Sequence, residues 1–548
     1  MENLEVSSSM LDHHGLVGAI VQELKIRERI DRLVGRSDAR CLVSTGTAVA
    51  AMIINGLGFT NRRLYLVGQF FFGKPLDKLL GTSGLRPEHL SDDALGKALD
   101  RIHEYGVTKL FCELSLEILT EHNLLGKVAR TDTTTISVEG EYAKSVPGQE
   151  NVMHVTYGHS KDLRSDLKQF TVLLGMCGPA NLPFWVKPLD GNKSDKVSLP
   201  ACISEVQALH KQLGQAPLFT WVADSALYGK ERLLHVHCQT PWITRVPETI
   251  NDAVILIEGP DSELKWTEVD ENYKIHADTS MFGGVEQRWL LIFSKKAYER
   301  EKITYDKRIE KEKAAFEKQL QKLGKTDFGC EKDARKAYED LKRKYPLFSS
   351  SIRVESIDKH EKAGRPKNGQ SPSLTVYQIF HEGVLTDTEL YTDTLRHKGR
   401  FILGTNQLDE KLLPDEAILA EYKGQQNVER GFAFLKDPWF LIDSVFLKKV
   451  SRIMSLTMIM TLCLLVYNYA QYRVRKVLAD EKTTVPNQVG KPIRNPTPRW
   501  LFQCMEGVAV VNVSVGGQMN SVVANINALR REIIRLFGPV SEKIYGFG

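Results

Sequence analysis

The sequence predicts a mixed α/β (α+β) fold: one sheet with helices on both faces, interrupted by a long insertion and preceded and followed by helices. Three observations predict it. β-branched runs bounded by turn residues succeed one another from Lys127. Helical patterns then alternate with short apolar strands. Residues 1–125 and the stretch from Ile453 show helical periodicity. The 548 residues exceed one ordinary core, so about two to four domains are expected. A hydrophobic share of 42% with 26% charged residues excludes disordered and fibrous classes. Eight scattered cysteines without a C-x-x-C spacing argue against structural zinc and fit free thiols in a reducing compartment. No signal peptide is visible in "MENLEVSSSMLDHHG".

Residues 1–125 read as all-helical through "LVGAIVQELKIRERIDRLV", "GTAVAAMIINGLGF" and "DDALGKALDRIHEYGVTKLFCELSLEILTEH". Ser91 before Asp92 and Asp93 is a helix start. Short helices with turns suit a helix-turn-helix-like DNA reader or a plain bundle, and 1–125 is expected to be a helical DNA-binding domain. "KVARTDTTTISVEG", "ENVMHVTYGHSK" and "LKQFTVLLGM" then read as a three-strand antiparallel meander. A helix "SLPACISEVQALHKQL", a buried strand "PLFTWVADSAL", a helix "YGKERLLHVHC" and a strand "PWITRVP" follow. The order β-β-β-α-β-α-β is that of a ribonuclease-H-like domain, with 126–247 as its first part and 400–478 as its second.

Between these parts, 248–399 reads as a β-rich insertion with strands "AVILIEG", "VEQRWLLIFSK" and "LTVYQIFHEG". Its middle, 295–345, carries 17 Lys/Arg against 11 Asp/Glu, a net +6 that exceeds the +5 of the whole chain. A charged helical hairpin of this kind is either a solvated spacer laced with i,i+4 pairs or an arm against DNA phosphates or a partner subunit. "IMSLTMIMTLCLLVYNYAQY", Ile453 to Tyr472, has 20 residues without formal charge, enough to cross a bilayer. Ser455, Thr457, Thr461, Asn468 and Gln471 interrupt it, so a buried helix and no membrane partner are expected. Residues 479–548 are a C-terminal helical region and a candidate for dimerisation.

Aspartate is rare in strands, and burying it unpaired is costly. Asp132 lies inside the first strand and Asp224 ends the strand "LFTWVAD", so two acids on neighbouring strands suggest a shared cation. "YKGQQNVERGFAFLK" adds a third. Tyr422, Glu429 and Lys436 fall seven apart on one helical stripe, with about 20° of drift per step. Val428, Phe432 and Leu435 form the apolar stripe that would face a core. Glu410 and Glu416 read as caps of the next helix, and Glu421 lies off the stripe.

In "RTDTTT", "YGHSKDLRSDLKQ", "GNKSD", "VADSALYGKERL" and "YKGQQNVERGFAFLK" the chain resembles the DDE transposases of bacterial insertion sequences, within the insertion-sequence-four superfamily, over roughly 125–470. That family's signature is Tyr, two residues, Arg, three residues, Glu, six residues, Lys. Here it reads Tyr422, Gln425, Glu429, Lys436, with glutamine at the arginine position. The resemblance implies metal-dependent cleavage and strand transfer of double-stranded DNA, at terminal inverted repeats and a target. Two Mg²⁺ or Mn²⁺ ions would be held by Asp132, Asp224 and Glu429, the first bridging both. It implies a homodimer on DNA in a cytoplasmic, nucleoid-associated setting. Tyr422, Gln425 and Lys436 would hold the DNA backbone, with Gly424 and Gly431 admitting it closely. Further candidate DNA contacts are Lys161, Arg164, Lys168, Arg245 and Arg430. Trp266 and Trp289 are either rings for an extruded base or strand and core packing, the latter reading favoured for Trp289 in the apolar "RWLLIF". A strand-rich insertion resembles transposases that cut through a DNA hairpin. The alternatives are a related nuclease without strand transfer and a domesticated protein that only binds the repeats.

Overall fold

The computed structural model describes residues 4–35, 41–59, 66–142, 152–212, 219–237, 239–359, 374–437, 447–515 and 518–547. Their strands are β1 (Leu4–Met10), β2 (Val128–Val138), β3 (Lys168–Cys177), β4 (Leu182–Leu189), β5 (Thr220–Ala223) and β6 (Trp242–Arg245). They continue with β7 (Thr267–Asp270), β8 (Tyr273–Phe282), β9 (Val285–Ser294), β10 (Phe348–Lys359), β11 (Leu374–Thr386) and β12 (Arg400–Thr405). The last are β13 (Val485–Pro486), β14 (Pro492–Ile493), β15 (Ala509–Val515) and β16 (Gln518–Ala524).

One mixed sheet of nine strands dominates, in the order β4-β3-β2-β5-β6-β12-β9-β8-β7. β2 pairs antiparallel with β3 but parallel with β5, and β5 is parallel to β6. Helices Asp195–Gln212 and Lys230–His237 supply the crossovers between these strands, which parallel neighbours require. The threonine run of β2 suits this place: Thr131, Thr133, Thr134 and Thr135 are all buried. β12 pairs antiparallel with both β6 and β9, so β7, β8 and β9 of the insertion extend the same sheet.

The meander differs from expectation in one member. "ENVMHVTYGHSK" contributes only an isolated bridge, Thr156 to Gln169. The third strand is instead β4, "LPFWVKPL", at the sheet edge. Its two prolines disguise it in the sequence, yet Pro188 pairs with Val172 from an edge, where a missing donor is tolerated.

The chain ends also depart from an all-helical reading. β1 pairs along its length with β15, and β15 with β16, in a three-stranded sheet joining the two ends of the chain. Helix Thr45–Gly56 is buried at all twelve positions, so it cannot enter a DNA groove. Helix Val450–Asp480 is long and apolar enough to span a bilayer, but 72% of its most apolar window is buried in the protein. Its hydroxyls are satisfied internally: Ser455 donates to the Leu99 carbonyl at 2.7 Å, and Thr457 and Thr461 to carbonyls one turn back. Arg452 pairs with Asp100 and Tyr469 donates to Glu23, tying this helix to the N-terminal helices.

The charged segment forms helices Lys295–Gly324 and Glu331–Lys344, packed on the β10–β11 ribbon. Tyr305, Phe316, Leu320, Tyr338, Leu341, Phe348 and Ile379 make a core separate from that of the main sheet. Tyr338 fastens helix to ribbon, donating to the Ser350 carbonyl at 2.6 Å and accepting from its N–H at 2.8 Å. Because this core is independent, Phe316→Ala is expected to cost about 3–5 kcal/mol locally. Hydrogen exchange should quicken across both helices and the ribbon, with the nine-stranded sheet still protected.

Candidate active site

The parallel register places the two aspartates together. Arg130 is level with Val222, so two residues further on Asp132 comes level with Asp224. Asp132 accepts the Thr133 N–H at 2.7 Å, and burial pushes its carboxyl up to about 6. Lys161 and that N–H oppose the rise, while Asp224 and Asp195 add to it. Asp224 ends β5 and caps a turn, its Oδ1 accepting from the Ala226 N–H at 2.9 Å, while Thr244 donates to its carbonyl at 2.6 Å. Burial again raises its carboxyl, with Asp195 contributing.

The third acid arrives on a broken helix. The expected continuous stripe is instead two helices, Asp415–Lys423 and Gln426–Leu435, parted at Gly424 and Gln425. Tyr422 therefore ends one helix while Glu429 lies in the first turn of the next. Tyr422 still feels the acids: burial raises its phenol, Arg245 opposes, and Asp224, Glu429 and Asp132 raise it further. Glu429 is exposed, on a helix held down by buried Val428, Phe432 and Leu435. Glu421 is committed elsewhere, paired with the Arg130 guanidinium of β2.

Gln425 is buried rather than turned to a DNA backbone, donating from Nε2 to the Thr131 carbonyl at 2.9 Å. It ties the break between the helices to β2, one residue before Asp132. The glycines likewise serve protein packing, not an approaching strand of DNA. A Cβ at Gly431 would meet Leu464 and the Met176 sulfur at 3.2 Å, and one at Gly424 would strike the Arg130 guanidinium. From the insertion, Arg288 of β9 donates to the Leu413 carbonyl and lies 3.4 Å from Asp415, fixing the start of the first helix.

Lys161 and Lys436 bracket the site through one loop. The Lys161 ammonium donates to the Thr133 carbonyl at 2.6 Å and lies 3.2 Å from Asp195 and 3.6 Å from Asp132. Lys436 contacts both carboxylate oxygens of Asp162 at 2.7 Å. Asp195 is the residue that sequence reasoning left without a role. It closes "GNKSD" at the start of a helix, where an acid ordinarily reads as a cap. A Cβ at Gly191 would lie 2.0 Å from the Gln169 carbonyl, which keeps that motif's loop against β3.

The remaining candidates scatter. Arg245 lies near Tyr422, pairs with Glu248 and stacks over Phe401. Arg164 is exposed and paired with Asp166, Lys168 donates to the Tyr142 carbonyl, and Arg430 lies near Arg475 of the long helix. Trp266 is half-buried at the far edge of the sheet, donating to Asp261. Trp289 is core, 2% exposed and bonded to Tyr228 and Gln287, with no ring face for a base.

Among the described residues, no three His, Cys, Asp or Glu side chains already stand as a metal cage. The donors that do converge are carboxylate oxygens, which suit hard divalent cations. Half-buried Asp132 and Asp224, level with each other on adjacent strands, are the feature such a cation fits.

Residues 6–116 match a family described as a domain of unknown function (DUF4277). No curated protein matches the chain. A solved piggyBac transposase synaptic complex with hairpin DNA aligns over 91% of this chain and 82% of that one, at 9% identity and a TM-score of 0.35. That likeness is too low to decide fold or function.

The raised Asp132 carboxyl has a consequence for stability. The folded state holds its proton between the unfolded value of 3.8 and about 6, so this group's stabilising contribution falls as pH rises through that window. Asp132→Asn is therefore expected to raise stability at pH 7.5 by up to about 3 kcal/mol. Denaturant midpoints measured across pH should show the gain vanishing towards pH 4.

Proposed function

We propose that the chain is a DNA transposase of the DDE type, cutting and joining the ends of its own element. The observation that carries this is the placing of Asp132 level with Asp224 on adjacent parallel strands, with the Tyr422 phenol under the influence of both and of Glu429. The strand order β4-β3-β2-β5-β6 supports a ribonuclease-H-like reading of the core, and the ordered motifs support the family.

In this reading Asp132, Asp224 and Glu429 hold Mg²⁺ or Mn²⁺, which activate the attacking oxygen and stabilise the leaving oxygen of a phosphodiester when bound. Burial of Asp132 and Asp224 raises the cost of their charge, which a bound cation would offset. Tyr422 presents its phenol beside the carboxylates, and Arg245 offers a guanidinium suited to a phosphate oxygen. Lys436 turns to DNA once its Asp162 pairing is exchanged for phosphate. Water would cleave one strand and the freed 3′-hydroxyl would attack a second phosphate. Residues 1–125 would bind the terminal repeats and a homodimer would join two ends.

The test incubates purified protein with labelled DNA spanning the element's end and Mg²⁺, then maps the cut strands. Wild type should cleave, whereas Asp132→Ala, Asp224→Ala and Glu429→Gln should bind the same DNA and leave it uncut, at least a hundredfold down. Ca²⁺ should support binding without turnover. Near-normal cleavage by any of the three variants would overturn the site assignment.

A further inference from the structure

Resting on that reading, we propose that Lys161 is a built-in counter-ion of the carboxylate site, and that Asp195 is the seat that keeps its ammonium clear of Asp132 when a divalent cation binds. The ammonium lies between the two acids, 3.2 Å from Asp195 and 3.6 Å from Asp132. It also donates to the Thr133 carbonyl at 2.6 Å and the Thr133 hydroxyl at 2.9 Å. That hydroxyl in turn donates to Asp195 at 2.5 Å. The other end of the residue is fixed too: the Lys161 N–H donates to the Thr135 hydroxyl at 3.0 Å. Lys161 is thus anchored to β2 at both ends, with its charge beside the site rather than in solvent.

The asymmetry of these contacts sets the direction of the effect. At 3.6 Å the Asp132 contact is an ion pair beyond hydrogen-bond range, so the Asp132 oxygens keep lone pairs free for a cation. A divalent ion at Asp132 and Asp224 repels the ammonium, and Asp195 offers it the nearer carboxylate. Burial alone would lower the ammonium's affinity for its proton, but Asp132 and Asp195 outweigh it, so Lys161 stays charged. Lys161 and the divalent ion are competing cations. Asp195 decides how strongly they compete, acting through Lys161 as a positioning residue rather than as a ligand.

Mn²⁺ binding to the full-length protein without DNA, followed by electron paramagnetic resonance, tests this apart from catalysis. Lys161→Gln is expected to tighten Mn²⁺ binding about tenfold, within the usual range of coupling between two sites. Asp195→Asn should weaken it several-fold, because the ammonium then leans on Asp132. Lys161→Arg, which keeps the charge, should stay close to wild type. The combined Lys161→Gln, Asp195→Asn protein should bind as tightly as Lys161→Gln alone, since Asp195 matters only while Lys161 is present. Unchanged or weaker binding in Lys161→Gln would overturn the proposal. So would a weakening by Asp195→Asn that persists in the combined protein, which would make Asp195 a direct ligand. Wild-type Mn²⁺ binding that Asp132→Ala leaves intact would instead overturn the transposase reading beneath it.

Discussion

Two carboxylates of like charge, half-buried at one level of two parallel strands, are the constraint around which the rest is arranged. Burial raises the proton affinity of both, and neighbouring acids add to it: Asp224 and Asp195 for Asp132, Asp195 for Asp224. The surroundings answer it with a backbone N–H to each acid and the Lys161 ammonium beside the pair. The site persists because strong packing nearby holds it, with Trp221, Val222 and Ala223 of β5 fully buried around it. Raised carboxyls that share one place make the pair a candidate site.

The second half of the site depends on elements far away in sequence. The two helices bearing Tyr422 and Glu429 are pinned at three places: Arg288 of β9 at the start, Gln425 on β2 at the break, and Gly431 against β3 and the long helix. One of these pins comes from the insertion, so β7, β8 and β9 do more than interrupt the core. They continue its sheet and fix the helix start. The arm and the β10–β11 ribbon stand apart with their own apolar cluster.

Charge is distributed in keeping with this. Lys436 and Lys161 take adjacent positions in their contacts with one loop: Asp162 pairs with the first, and its neighbour Lys161 reaches the acids. That short loop therefore links the C-terminal end of the Glu429 helix to β2.

The sequence by itself marked β2, β3, β5, β6 and the helices between them, because β-branched runs and helical periods are local patterns, although "AVILIEG", read as a strand, is the helix Asn251–Glu258. It also marked Asp132 and Asp224, because an acid inside an apolar strand has few reasons to be there. The charged hairpin and the buried character of the long apolar helix were legible for the same reason: composition over a window reports exposure. Tertiary structure alone decided the rest. β4 was hidden because its prolines forbid a central strand but not an edge, and edge position is a property of the whole sheet. The break at Gly424 and Gln425 was hidden because a seven-residue spacing fits a continuous helix equally well until β2 claims the glutamine. Gln425, Gly424 and Gly431 looked like a surface for DNA because type and spacing carry no information about what packs opposite, whereas Trp289, in the apolar strand "RWLLIF", already read more readily as core than as a stacking ring. Asp195 was left without a role because an acid at a helix start ordinarily serves as a cap. Its partners Thr133 and Lys161 are 62 and 34 residues away in sequence, and only folding brings them within a hydrogen bond or an ion pair.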